Sequence, residues 1–204
     1  MSFKEEVIKK CLMSIIITVF VIYSVPALAG VPLDTVKGHS DKVLDVLRDP
    51  ALKGETAKKI KKDKLRTISE KMFDFAELSR RTLTINWKKF SPDQQKEFIS
   101  LYTSILEDAY ADKILAYSDE KILFTKEVSL SERTVEVQST VIQRTTEIPI
   151  FYRVILKDGE WRVYDVVIEG VSLISNYRTQ FKDILANKPP EAVLETLRKK
   201  VGKG

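Results

Sequence analysis

The chain has 204 residues, 44% of them hydrophobic, and its 34 lysines and arginines against 29 aspartates and glutamates give a formal net charge of +5. One cysteine and one histidine leave no Cys/His metal spacing, and seven glycines leave little from which to build a phosphate-cradling loop. A basic balance points to nucleic acid, to anionic membrane surfaces or to acidic partners.

The first 29 residues narrow that choice. Lys4, Lys9 and Lys10 make a weakly basic start diluted by Glu5 and Glu6, and an apolar run follows from Cys11 to Val25. Pro26-Ala27-Leu28-Ala29 then places small residues in an A-x-A cleavage pattern, which predicts a secretory signal peptide cut after Ala29. The alternative is a retained anchor, but the run has 15 residues against about 20 needed to span a bilayer. Export argues against a nucleic-acid partner. The part removed holds three lysines, two glutamates and Cys11, so the mature chain, residues 30–204, has a net charge of +4 and no thiol. Cys11 lacks the small-residue context of a lipoprotein. A chain of this size can form one domain stabilised by its core alone.

Val36, Val43, Leu44 and Leu47 predict a first helix ending before Pro50, and Ala57, Ile60, Leu65 and Ile68 a second, more exposed one. Within the second, "KKIKKDKLR" (Lys58 to Arg66) reads as a solvated face or as a contact for anionic headgroups or a partner. "FDFAEL" carries a start signal, with Asp74 as N-cap, Glu77 at N3, and Phe73 and Leu78 positioned as a hydrophobic staple. "FSPDQQKEF" carries another, with Ser91 as cap, Pro92 at the first helical position and Gln94 completing a capping box. Phe98, Leu101, Tyr102, Ile105, Leu106, Ala109 and Tyr110 follow at helical spacing. Such a stripe is either solid core or the wall of a cavity.

From Ile122 the period changes to two, and four antiparallel strands are predicted: Ile122–Leu130, Val135–Val141, Ile148–Lys157 and Glu160–Ile168. Asp158-Gly159 between the last two is a type I′ hairpin signal. That turn sets Tyr152 opposite Asp165 and Ile148 opposite Glu169, on one face with Ile150, Val154, Trp161, Val163 and Val167. Two carboxylates on an apolar face need partners. Tyr152 is one donor, and Arg80, Arg81 and Arg178 are candidate cations. Either the carboxylates brace the sheet, or one is a general base in a pocket, as in steroid isomerases of the cone-shaped α+β type. Four strand residues separate them by about 13 Å, too far for a cooperating pair. His39 sits in a polar stretch and is expected to be solvated. Gly170 permits a sharp turn, Ser172 caps a helix with the stripe Ile174, Tyr177, Phe181 and Leu185, and Pro190 opens a last short helix. The fold class is α+β.

"WRVYDVVIEGVSLISNYRTQF", "FDFAELSRRTL" and "WKKFSPDQQKEF", followed by the long aromatic helix through Tyr110, together resemble the MlaC family, the periplasmic phospholipid-binding proteins of the Mla pathway, also known as toluene-tolerance auxiliary proteins. The likeness runs from Phe73 to Leu197. Tyr164, Asp165, Glu169, Gly170, Val171 and Ser172 carry its most specific part, while Val31 to Met72 matches only in helical character. It implies a nuclear-transport-factor-2-like fold, a four-stranded antiparallel sheet packed with N- and C-terminal helices around an apolar lipid cavity. It also implies a carrier shuttling phospholipid between an outer-membrane lipoprotein–porin complex and an inner-membrane ABC transporter with an MCE-domain ring. Such a carrier has no catalytic residue and no cofactor beyond its cargo. A related branch is associated with hopanoids, which the sequence leaves open.

On this reading Phe73, Phe75, Phe98, Leu101, Tyr102, Ile105 and Tyr110 line the cavity from the helices. Ile150, Tyr152, Val154, Val163 and Val167 line it from the strands, with Val171 and Ile174 beyond them. Asp165, Glu169 and Arg178 are polar ties of the wall. Two other classes stay open. One is an isomerase-like enzyme using Asp165, and the other is a protein-binding module whose apolar faces pack solid.

Overall fold

The computed structural model describes residues 31–116, 120–143 and 145–202. The expected signal peptide, Cys11 and the expected cleavage after Ala29 lie outside them. Helices α1 (Val31–Arg48), α2 (Glu55–Met72) and α3 (Phe75–Leu83) lead through a 3₁₀ segment, Thr84–Lys89, into the long α4 (Pro92–Leu115). Strands β1 (Lys121–Ser131), β2 (Thr134–Gln143), β3 (Thr146–Lys157), β4 (Glu160–Ile168) and β5 (Val171–Ser172) follow, then α5 (Leu173–Asn187) and α6 (Pro190–Val201). The strands form one antiparallel meander in chain order.

The local signals act as chemistry requires, with one substitution of partner. Ser91 and Gln94 exchange both bonds of a capping box at the start of α4. Asp74 accepts from the Glu77 N–H at 2.9 Å, but the Glu77 carboxylate does not return the bond. It takes Arg80 and Arg81 instead, and the Asp74 N–H donates to the Val163 carbonyl at 2.9 Å, tying the helix start to β4. Asp158 and Gly159 adopt φ of 52° and 82°, as the hairpin turn demands. A second turn of the same kind, Glu169 and Gly170 at φ 49° and 82°, folds β5 back onto β4. This adds a fifth strand to the four expected. Two residues are too short a run for an alternation signal to register.

The β3–β4 register differs from expectation. Val154 pairs with Val163 as predicted, but Arg153, not Tyr152, pairs with Asp165. A β-bulge at Tyr164 inserts one residue, so every later position of β4 slips by one and changes face. Val166 stands opposite Tyr152 and Ile168 opposite Ile150, while Val167 pairs with Phe151. Asp165 therefore leaves the Tyr152 face and joins Arg153 and Glu136 on the other. A bulge lies between two regular ladders and leaves no trace in a binary pattern read from one turn.

Two groups of buried side chains result. The helix-side group joins Phe90, Phe98, Tyr102, Phe181, Leu185 and Leu194 with their neighbours. The sheet-side group joins Val36, Met72, Val137, Val154, Val163 and Val166.

Candidate functional site

Between these two groups lies an apolar cavity of about 640 Å³, within the range of about 300–1,000 Å³ usual for ligand sites. Helix α1 contributes Val43, Leu44 and Leu47, and α2 contributes Leu65, Ile68 and Met72. Phe73, Phe75 and Leu78 follow from the α2–α3 junction, and Leu106, Tyr110 and Ile114 from α4. The sheet supplies Ile148, Ile150, Tyr152, Val166 and Ile168, with Ile122 and Val141 further along. Charged side chains also border it. Lys62 and Arg66 of α2 stand near Glu107, Asp108 and Lys113 of α4. Arg66 pairs with Glu107 at 3.0 Å, and Lys62 reaches Asp112 at 3.4 Å.

The helices over the cavity are held to the sheet by polar ties. The Leu33 N–H donates to the Glu127 carboxylate at 2.6 Å, joining α1 to β1. Arg162 of β4 donates to the Glu70 carbonyl of α2 at 3.3 Å, and Lys61 donates to the Leu47 carbonyl at 3.0 Å between the two helices. Apolar contact adds to these ties, since Val36 of α1 and Met72 of α2 pack with Val137, Val154 and Val163 of the sheet. Burial raises the Tyr152 hydroxyl above its ordinary range, with the nearby Ser40 hydroxyl opposing it, and burial does the same to Tyr110. Both phenols stay neutral, and the lining keeps its apolar character.

Of the residues expected to line the cavity, Phe73, Phe75, Tyr110, Ile150 and Tyr152 do so. Phe98, Tyr102 and Ile174 sit instead in the helix-side core with Ile105, and Leu101 packs against it. Val154 and Val163 lie in the sheet-side group, packed beneath Met72, Ile150 and Tyr152 of the lining and not part of it. The bulge carries Val167 to the opposite face, and Val171 is 58% exposed at the β4–β5 turn. Much of the wall comes from α1 and α2, whose stripes read only as helical periodicity. Their i, i+3/i+4 spacing was the available signal, and it is identical for core and cavity.

The expected polar ties also move. Asp165, 2% exposed, accepts from Arg153 at 3.2 Å, from the Ser172 hydroxyl at 2.7 Å and from the Ile174 N–H at 3.1 Å. It anchors the start of α5 to β4, and its partner is Arg153, not Tyr152. Glu169 is exposed in its turn. Arg178 donates to the Arg81 carbonyl at 3.0 Å, linking α5 to α3. Asp165 borders a separate polar cleft with Arg80, Arg81, Arg153 and Arg178. His39, expected to be solvated, is half-buried, with Nδ1 enclosed and without a hydrogen-bond partner. Burial first, then Lys42, Arg162 and Lys71, lowers its pKa.

Among the described residues no cluster of three or more His, Cys, Asp or Glu side chains could hold a metal ion, and no helix is long and apolar enough to cross a membrane.

Comparison with known proteins places this architecture. The chain is 30% identical over 95 residues to the intermembrane phospholipid transport system binding protein MlaC of Haemophilus influenzae, an alignment covering 44% of each chain. It is 23% identical over 159 residues to the toluene tolerance protein ttg2D of Pseudomonas putida, covering 77% of this chain and 74% of that one. The fold matches that of a phospholipid-binding protein from Ralstonia solanacearum, solved in complex with a phospholipid. There the TM-score is 0.74 at 23% identity, over 84% of this chain and 97% of the other. The sequence model of the family described as MlaC protein matches residues 37–199, which is most of the length, and the chain belongs to that family.

Proposed function

We propose that this protein is a periplasmic phospholipid carrier, exported by a signal peptide cut after Ala29. It takes lipid tails into the cavity between α1, α2, α4 and the sheet. The observation that carries the reading is the cavity itself. It is about 640 Å³, lined largely by apolar side chains and partly open to solvent, so unoccupied it leaves that lining in contact with water, which is unfavourable. An apolar guest covers the lining and keeps its own chains from water. Two acyl tails of about 30 methylenes, at ~0.8 kcal/mol each, lose over ~20 kcal/mol on entering water. The bilayer shelters them equally well, so the carrier lowers the barrier to an aqueous crossing and leaves direction to its partners. The family supports an outer-membrane lipoprotein–porin complex and an inner-membrane MCE-domain ABC transporter as those partners.

The isomerase-like alternative relied on Asp165 in the apolar pocket. Asp165 lies on the opposite face of the sheet, with both oxygens bonded, so it does not serve as a base in the cavity.

Native mass spectrometry of the mature protein, purified gently from the periplasm, tests the reading. The expected spectrum shows a chain beginning at Gly30 with an added mass of one phospholipid. A hopanoid mass would redirect the cargo. A bare chain under the same conditions, or one retaining residues 1–29 in detergent extracts alone, would refute the soluble carrier.

A further inference from the structure

The arginine-lined cleft on the other face of the sheet has no part in holding lipid tails. It measures about 470 Å³ and is bordered by Arg80, Arg81, Arg153 and Arg178, with the hydroxyls of Ser172 and Ser175. We propose that it is an oxyanion site that receives a phosphate group, separate from the cavity and independent of the carrier reading.

The arginines come from three elements, α3, β3 and α5, so their convergence is a product of the tertiary fold. Their local acids do not neutralise them. Glu77 pairs with both Arg80 and Arg81, and Glu136 and Asp165 both pair with Arg153. Asp165 is further taken up by Ser172 and the Ile174 N–H. Among the described residues, Arg178 has only a carbonyl oxygen, that of Arg81, as partner. Its Nε is buried with no hydrogen-bond partner, a costly state for a charged donor. An anion in the cleft would offset the guanidinium charge of Arg178, which has no acid partner among the described residues. The arginines stand on three separate elements around the cleft, and phosphate, with several acceptor oxygens, can meet more than one of them. Thr84, on the cleft wall, is held at φ 52° and ψ −126°, a conformation that a non-glycine residue adopts only under constraint. Ile85, next to Thr84, is 82% exposed, and Val171, next to Ser172, is 58% exposed. A basic cleft beside exposed aliphatic residues suits a headgroup at a membrane surface as well as free phosphate.

The test uses the mature protein and calorimetric titration with sodium phosphate against sodium chloride at matched ionic strength. Phosphate should bind saturably to wild type. Arg178→Gln removes the cationic charge that has no acid partner. Ser175→Asp puts a carboxylate into the cleft at an exposed first-turn position of α5, where an acid favours the helix, so the fold is kept. Each should weaken phosphate binding at least about tenfold, while Lys96→Gln on α4 should leave it unchanged. Sedimentation with phosphatidylglycerol vesicles, but not with phosphatidylcholine vesicles, if lost in Ser175→Asp, would name a headgroup as the source. Phosphate binding without sedimentation would name soluble phosphate. No phosphate binding beyond chloride, or equal binding by Ser175→Asp, would overturn the site. Binding of polyglutamate but not of phosphate would overturn it in favour of an acidic protein segment.

Discussion

The two apolar regions of this molecule are built from similar residue types and end in opposite states. On the helix side, Phe98 lies 5.4 Å from both Tyr102 and Phe181, and Tyr102 lies 5.6 Å from Phe181, with the Phe181 contacts edge-to-face. Such rings interlock edge against face. On the cavity side, mostly aliphatic side chains from α1 and α2 face Ile148, Ile150 and Ile168 across open space. There α1 and α2 touch the sheet through Val36 and Met72, with polar bonds as further ties, while the side chains further along α1 border the cavity. Hydrophobicity sets which side chains leave water, while interlocking of shape and polar spacing decide whether they fill the volume they enclose.

The sharpest way to break the comparison is to truncate one residue in each region. Phe98→Ala should cost about 3–5 kcal/mol in urea unfolding. Leu44→Ala, beside the cavity, should cost about 1 kcal/mol or less, since its side chain has fewer partner atoms to lose. Equal costs would mean that the cavity is closed in solution. A smaller effect probes the junction between the regions. Asp165→Ala leaves Ser172 and the Ile174 N–H without their acceptor and should lower stability by about 1–3 kcal/mol without altering lipid content. Lipid loss on that substitution would contradict the assignment of Asp165 to the other face. The smallest effect is on pH. The folded state lowers the His39 pKa below its ordinary 6.5, so the unfolded chain binds the proton more readily. The neutral imidazole's contribution is thus present above pH 6.5 and is lost as pH falls through the folded value. His39→Gln should flatten this part of the melting-temperature profile, and an unchanged slope would assign it to other groups.

Much of the fold was legible because local chemistry spoke clearly. Asp74, Ser91 and Ser172 cap helices where their sequence contexts place them, and Asp158-Gly159 turns the hairpin. The candidate site was legible in part. Phe73, Phe75, Tyr110, Ile150 and Tyr152 were placed on the cavity by pattern and family likeness. Val167 was misplaced because the Tyr164 bulge shifts the register by one, which period-two reasoning cannot see. Phe98 and Tyr102 were misplaced because an aromatic stripe looks the same whether its rings meet each other or a guest. The α1 and α2 wall was missed where the likeness itself was weakest, in Val31 to Met72.

The central claim is that the open region, and only that region, holds lipid. It is tested most directly by the phospholipid content of purified mature protein, wild type beside Ile150→Asp, measured by organic extraction and mass spectrometry with circular dichroism to verify folding. Ile150 lines the cavity from β3 and is half-buried, and a carboxylate there opposes acyl chains. The account predicts about one phospholipid per wild-type chain and a folded Ile150→Asp without lipid. Wild type free of lipid, or a folded variant with undiminished lipid, would contradict it.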